Sequence, residues 1–174
     1  MKWLLPALAL LLLSGCGTPD LDDYRDQGPP LVLDDYFLGK TRAWGQFQDR
    51  FGEVRRRFEV LIDGRMDGDE LVLTEDFTYA DGETETRVWR IRRQGPDTWE
   101  GVSDGVVGTA FGRQSGNAVN WRYDYDLAVG DSVWQVQFDD WLWRQTEDVV
   151  INRAYVSKFG ITLGEVFITF VKER

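Results

Sequence analysis

Turn signals at close intervals are the feature that most restricts the fold of this chain. From Leu31 onward no helical period is sustained, and turns built on Gly, Asp, Asn or Pro separate runs rich in Val, Ile, Thr, Phe, Tyr and Trp. Those residue types favour β-strands because their side chains fit a pleated, half-buried surface. The pattern predicts strands near residues 42–50, 53–63, 69–80, 84–93, 97–103, 108–114, 117–128, 132–145, 148–158 and 161–172.

The short connections between these strands favour an antiparallel meander. Closing a meander into a barrel removes the unpaired sheet edges that otherwise invite aggregation. We therefore predict an all-β fold, an antiparallel up-and-down β-barrel, in a single domain over residues 31–174, with a β-sandwich as the alternative. Residues 34–40 are predicted to form a helical turn that closes one end.

Residues 1–15 have the pattern of a secretory signal peptide. A basic start at Lys2 precedes an apolar run that is too short for a transmembrane helix. The run ends in Leu-Ser-Gly-Cys, which resembles the lipobox of bacterial lipoproteins and implies cleavage before Cys16 and acylation of its sulfur. Several acyl chains on one residue anchor a protein firmly to a membrane. Gly17 stands where the inner-membrane retention signal has an aspartate, which implies the periplasmic face of the outer membrane.

Residues 17–30 are acidic and rich in Pro and Gly, so we expect a flexible tether between the anchor and the barrel. The whole chain carries a formal net charge of −10. Because an acidic surface is repelled by anionic lipid and by nucleic acid, we expect neither a lipid-binding surface patch nor a nucleic-acid partner. The arginine run at residues 55–57 is better explained by a strand with alternating exposure than by phosphate binding.

The sequence contains no histidine and a single cysteine, Cys16. These two facts exclude Ser-His-Asp and Cys-His catalysis, histidine-ligated metals and, with Cys16 acylated, disulfides. The string Gly101-Val102-Ser103-Asp104-Gly105 matches a nucleophile elbow, but it lacks a histidine base and a following helix. We expect no cofactor and no metal site, and the groups left for catalysis are carboxylates, Tyr, Lys, Ser and Arg.

Four charged residues fall on strand faces that are otherwise apolar, namely Arg56, Glu75, Asp140 and Arg153. An unpaired buried charge costs several kcal/mol, so each needs a partner or a function. One interpretation is a buried ion-pair network, with Arg153 as the nearby partner of Asp140. Alternatively, the predicted register is wrong by one residue, and one of these charges lies outside the barrel. A third interpretation is a polar lining in a ligand cavity, in which Arg56 or Arg153 receives a carboxylate or phosphate.

Aromatic residues on the same faces would complete such a cavity. The predicted ligand-binding set is therefore Arg56, Glu75, Trp121, Tyr123, Trp134, Asp140 and Arg153. Asp139 and Asp140 are neighbours on one strand and so point to opposite faces, which means that they cannot flank one bond. A carboxylate pair would instead require Glu75 and Asp140 to face each other across the barrel.

Several motifs resemble an uncharacterised family of Gram-negative lipoproteins, of the DUF3833 type. They are the runs Gly45–Gly52, Gly116–Trp121, Phe138–Trp141 and Ser157–Val166 behind the lipobox, and the resemblance extends over nearly all of the mature domain. The family implies no established activity and no catalytic residues. The architecture also resembles lipocalin-like barrels, although the Gly-x-Trp signature of lipocalins is not matched.

These observations leave three hypotheses. The leading one is an outer-membrane lipoprotein that binds a small amphipathic or lipid-like ligand inside the barrel, with an acidic headgroup near Arg56 or Arg153. The second is a structural or assembly lipoprotein that docks an envelope protein through an outward aromatic face containing Trp141 and Trp143. The third is a hydrolase or isomerase that uses Glu75 and Asp140, although an enzyme is not the expected outcome.

Overall fold

The computed structural model describes residues 19–173. The predicted signal peptide and Cys16 therefore lie outside the described residues. The described chain contains one short α-helix, α1 (Leu33–Tyr36), and ten strands that match the predicted ones within a few residues. The strands are β1 (Gly39–Asp49), β2 (Val54–Asp67), β3 (Glu70–Tyr79), β4 (Thr84–Gly95), β5 (Thr98–Val102), β6 (Val106–Ser115), β7 (Ala118–Val129), β8 (Ser132–Arg144), β9 (Val149–Lys158) and β10 (Ile161–Lys172).

Every strand pairs antiparallel with the next, and β10 pairs with β1 to close the barrel. The predicted all-β, up-and-down barrel is thus confirmed, and closure excludes the β-sandwich. Side chains alternate between the interior and the outer wall along each strand. The cross-strand pairs Val60–Phe77, Leu73–Trp89 and Trp121–Asp140 define the interior face.

The helix α1 and the residues beside it close one end of the barrel. Leu31, Leu33 and Phe37 are buried in the main hydrophobic core. The hydroxyl of Tyr36 donates a hydrogen bond to the carbonyl of Asp148 at 2.9 Å. The Lys172 ammonium donates to the carbonyl of Tyr36 at 2.7 Å. These contacts fix the helical turn that the sequence predicts at this end, which we call the closed end.

Part of the expected tether packs on the barrel. Residues Leu21–Tyr24 form a single turn of 3-10 helix. Leu21 is only 7% exposed and packs in a cluster with Trp141, while the ring of Tyr24 lies 6.3 Å from those of Trp141 and Trp143. The expectation of an unpacked segment fails here because two apolar side chains, three positions apart, find an apolar strip on β8.

This packing also corrects the second hypothesis. Trp141 and Trp143 do point outward, but the N-terminal turn covers them, and Trp141 is fully buried. They therefore do not form a free docking face. Within residues 19–173, no helix is long and apolar enough to cross a membrane.

The interior differs between the two ends of the barrel. Near α1 it is filled by buried apolar side chains, among them Leu71, Trp99, Val119, Leu142 and Val150. Towards the other end, many of the inward side chains are partly exposed. That end holds the turns between β1 and β2, β3 and β4, β5 and β6, β7 and β8, and β9 and β10. We call it the mouth.

Candidate functional site

The candidate site is a group of partly exposed inward side chains near the mouth of the barrel, which we call the cup. Its lining is formed by inward side chains that water can reach: Arg56, Phe58, Glu75, Glu85, Arg87, Trp89, Tyr123, Tyr125, Phe138 and Asp140. The cross-strand register places Glu75 beside Arg87 and Tyr123 beside Phe138. Five strands, β2, β3, β4, β7 and β8, thus bring charges and aromatic rings together near the mouth.

Glu75 projects into the cup from β3. Burial raises the pKa of its carboxyl to about 7; the carboxylates of Asp140 and Glu85 also raise this pKa, and Arg87 lowers it. No hydrogen bond or ion pair joins its carboxyl to any other residue in the range 19–173. The structure therefore leaves an acidic group inside the barrel with its oxygens available to a bound molecule.

Asp140 projects into the cup from β8 and is held in place. The side-chain amide of Asn152 donates hydrogen bonds to its carboxylate and, at 2.9 Å, to the carbonyl of Trp141. Burial raises the pKa of Asp140 to about 6, although hydrogen bonds from Asn152 and Tyr123 lower it. Burial also raises the pKa of Tyr123 well above its ordinary value.

Arg87 is one of the two inward arginines of the cup, and it is already paired with a carboxylate. Its guanidinium donates to both carboxylate oxygens of Glu85, at 2.7 and 3.0 Å, in a bidentate geometry. It also lies 4.5 Å from the ring centroid of Phe77. The hydroxyl of Tyr79 donates to Glu85 at 2.8 Å, so Glu85 is satisfied as well.

Arg56 lies at the mouth, where it is also engaged. Its guanidinium forms an ion pair with Glu83, lies 3.5 Å from Asp81 and stacks 3.4 Å from the centre of the Tyr79 ring. A ligand headgroup would have to displace two carboxylates to reach it. The expected role of Arg56 as an anion receptor is therefore not favoured by the geometry.

The prediction that Arg153 faces the interior is wrong. Arg153 lies on the outer wall, where its guanidinium donates to Glu165 at 2.7 Å and lies 5.4 Å from the Phe167 ring. The inward neighbour on β9 is Asn152, and it takes the place of Arg153 as the partner of Asp140. Both faces of β9 carry apolar residues, so periodicity alone does not distinguish them.

The remaining predicted lining residues lie at three depths. Trp121 is buried below Asp140, Tyr123 stacks on Phe138 at 5.0 Å inside the cup, and Trp134 lies at the mouth. Sequence reasoning missed Glu85, Arg87, Trp89 and Asn152. A signal for the first three was present, since Glu85 and Arg87 alternate in phase with Trp89 along β4.

A groove of about 640 Å³ lies beside the cup and shares Tyr123 and Phe138 with it. It follows the outer wall where the pairing of β6 with β7 is interrupted between Val107 and Phe111. Two of its charged residues are paired with each other, because Arg122 lies 3.4 Å from Asp139. We assign the site to the cup instead, since the unpartnered carboxyl and the clustered aromatic rings are found there. No group of His, Cys, Asp and Glu in residues 19–173 has the arrangement of a metal site.

Comparisons with known proteins agree with this architecture. A family model described as "Protein of unknown function (DUF3833)" matches residues 10–172. No curated protein matches the chain. The S-type phycobiliprotein lyase CPES from Guillardia theta superposes with a TM-score of 0.63 at 10% identity, covering 90% of this chain and 99% of its own. The protein Rv2717c from M. tuberculosis superposes with a TM-score of 0.61 at 12% identity, covering 83% and 99%. At these identities the likeness shows the fold alone, a lipocalin-like barrel.

Proposed function

We propose that this chain, which belongs to the DUF3833 family, binds a small amphipathic molecule in the cup of its barrel. The observation that carries the proposal is the carboxyl of Glu75, which is inside the barrel, reachable by water and without a hydrogen-bond partner among residues 19–173. An acidic group in such a place costs free energy unless something pairs with it. A ligand that donates hydrogen bonds to Glu75 would offset that cost.

The lining defines the chemistry of the ligand. Arg87 and Arg56 are paired with carboxylates, and Arg153 lies outside, so none of the arginines proposed or found at the cup is free to meet an anionic headgroup. Glu75 and Asp140 instead offer acceptors to N–H, O–H or cationic groups. Trp89 and Tyr123, whose rings lie 5.5 Å apart, provide an aromatic wall for the apolar part. The ligand is therefore a polar-headed molecule with hydrogen-bond donors and a flat or aliphatic body.

Native mass spectrometry of the full chain, purified from cells in mild detergent, tests this proposal. We expect a bound small molecule on the wild type and its loss in Trp89→Ala and Glu75→Gln. Trp44→Ala is the matched control, because Trp44 is exposed on the outer wall. Ligand-free wild-type protein in every preparation, or loss of the ligand in the control as well, would contradict ligand binding in the cup.

We further propose that the mature chain is a lipoprotein at the periplasmic face of the outer membrane. The support is the Leu-Ser-Gly-Cys sequence ending at Cys16, followed by Gly17. Metabolic labelling with an alkyne fatty acid should mark the wild type and leave Cys16→Ala unlabelled. On a density gradient, Gly17→Asp should move the protein from the outer-membrane to the inner-membrane fraction. A labelled Cys16→Ala protein would show that the acyl chain is attached elsewhere, and an unlabelled wild type would show that the chain carries no acyl anchor.

A second candidate function is proton transfer on the bound molecule. Glu75 and Asp140 both face the cup, which a carboxylate enzyme requires, and burial raises the pKa of the first to about 7 and of the second to about 6. General bases work best when their pKa lies near the operating pH. Glu75 would take a proton from one atom of the ligand and return it to another, an isomerisation that needs no co-reactant. One similar structure is that of a lyase, so the fold accommodates an enzyme.

The base strength of Glu75 can be measured with 5-nitrobenzisoxazole, whose C–H proton is removed by a carboxylate. The N–O bond then breaks with its electron pair going to oxygen, and a nitrile and a coloured phenolate form. We expect the rate to rise as the pH passes through the pKa of Glu75, at about 7, and to be lost in Glu75→Gln. Asp76→Asn, on the outer face of the same strand, should keep the rate. An unchanged rate in Glu75→Gln would rule out this role.

A further inference from the structure

Exposed apolar side chains are concentrated in three turns at the mouth. Phe159 is 91% exposed, Phe51 76% and Val133 67%. Val54, Trp134 and Ile161 are exposed beside them. We call these six residues the apolar rim. Leaving large apolar side chains in water is costly, and a cluster of them marks a surface that meets a partner or a membrane.

The three turns are neighbours, so the rim is continuous. Strands β2, β1, β10, β9, β8 and β7 are consecutive neighbours in the barrel. Phe51 lies in the turn between β1 and β2, Phe159 in the turn between β9 and β10, and Val133 at the start of β8, just after the turn from β7. The backbone N–H of Arg50 donates to the carbonyl of Leu163 at 2.9 Å, which ties the first turn to the second. The ammonium of Lys158 lies 5.2 Å from the Phe159 ring and 5.3 Å from the Trp134 ring, which ties the second to the third.

Two cationic side chains lie beside the aromatic rings of the apolar rim, although the chain as a whole is acidic. The guanidinium of Arg50 lies 4.8 Å from the Phe51 ring, and Lys158 lies between Phe159 and Trp134. Neither Arg50 nor Lys158 forms an ion pair with another residue of the range 19–173. Aromatic side chains with free cations beside them suit the bilayer interface, where rings enter the headgroup level and cations meet phosphates.

The acidic side chains near the apolar rim repel anionic headgroups only weakly. Asp49 and Glu53, on either side of Phe51, both pair with Arg55, at 2.6 and 2.5 Å. Asp131 lies in the turn between β7 and β8 and would stay at headgroup depth. We propose that the apolar rim inserts into the surface of a phospholipid bilayer that contains anionic headgroups, so that the mouth of the cup opens onto lipid.

The N-terminal segment meets the barrel away from the rim. Leu21 packs on Trp141 of β8, a strand whose other end carries Val133 and Trp134 of the rim. The rim is therefore a membrane contact separate from the proposed lipid anchor. The opening of the cup onto lipid rests on the proposed ligand binding, whereas insertion of the rim does not.

Fluorescence quenching by brominated lipid tests the insertion directly. The full chain is reconstituted into vesicles of brominated phosphatidylcholine, with and without phosphatidylglycerol. We expect quenching of Trp134, seen as a loss of most of the bromolipid effect in Trp134→Phe. Trp44→Phe, an exposed tryptophan on the outer wall, is the matched control and should leave the effect unchanged. The double variant Phe51→Ser and Phe159→Ser should reduce the quenching, and Phe111→Ser, an exposed phenylalanine away from the mouth, should not.

Quenching that is unchanged in Trp134→Phe would overturn the proposal. So would a Phe159→Cys variant that crosslinks to a protein in cells while Trp134 remains unquenched in vesicles, because the rim would then be a protein interface. Ligand binding is measured separately by native mass spectrometry of the rim variants. Retained ligand with no insertion breaks only the rim proposal, and insertion without any ligand breaks only the proposed function.

Discussion

The half of the barrel near the closed end (the closed half) and the half near the mouth (the open half) are built from the same strands. The interior of the closed half is apolar, whereas the interior of the open half contains charged groups. On β3, Leu71 and Leu73 fill the closed half, and Glu75 enters the cup. On β8, Leu142 lies in the core, and Asp140 follows it in the cup. The closed half thus supplies the burial that stabilises the fold, and the open half holds groups that cost stability. Such a division is expected of a binding site supported by a rigid scaffold.

The largest expected effect is on the free energy of unfolding, when a side chain is removed from the hydrophobic core of the closed half. Trp99 is 2% exposed there, so Trp99→Ala should lower the free energy of unfolding by about 3 to 5 kcal/mol. Trp89 lies in the cup and is partly exposed, and Trp89→Ala should cost about half as much. Urea denaturation of both variants measures the difference. Equal losses would mean that the two halves are packed alike.

The next effect comes from the charge of Glu75. Its pKa is raised from 4.5 to about 7 in the folded chain, so the fold favours the protonated form. The stability of the wild type should therefore fall as the pH rises from about 4.5 to 7 and stay low above that. Because the group is partly exposed, we expect Glu75→Gln to gain about 1 to 2 kcal/mol at pH 8 and little at pH 4. Asp76→Asn should show no such pH-dependent gain.

A smaller effect should follow from loosening the N-terminal turn. Leu21→Ala removes an apolar contact with Trp141 at the edge of the barrel, at a cost of about 1 to 2 kcal/mol. Acrylamide should then quench the tryptophan fluorescence more strongly than in the wild type, because Trp141 and Trp143 become accessible. Arg25→Gln, at an exposed ion pair in the same segment, is the control. Unchanged quenching in Leu21→Ala would mean that the turn does not shield these rings.

The smallest effect is expected on the outer wall. Arg153 pairs with Glu165 in a partly exposed position, so Arg153→Gln should change stability by no more than about 1 kcal/mol. It should also leave any ligand in the cup in place, as judged by native mass spectrometry. Loss of the ligand in Arg153→Gln would contradict the placement of this residue outside the barrel.

The sequence by itself determined the strands and their order. Turn residues separate all ten runs, and short turns allow only antiparallel neighbours, so the barrel followed from local chemistry. The alternation in β7 and β8 also placed Tyr123 and Asp140 inside, because one face of each strand is clearly more polar. Glu75 was found in the same way, as a charge in phase with Leu73 and Phe77.

Only the tertiary structure decided which charges meet. In β9 both faces are apolar, since the interior takes Val150 and Val156 while the outer wall takes Tyr155 beside the N-terminal cluster, so Arg153 was placed on the wrong side. Arg56 was placed correctly on the inner face, but its partners Asp81 and Glu83 come from the turn after β3, a contact that periodicity does not show. The packing of Leu21 on Trp141 likewise joins segments far apart in the chain. Periodicity reports the face of a strand, whereas the partner of a buried charge depends on contacts across the closed barrel.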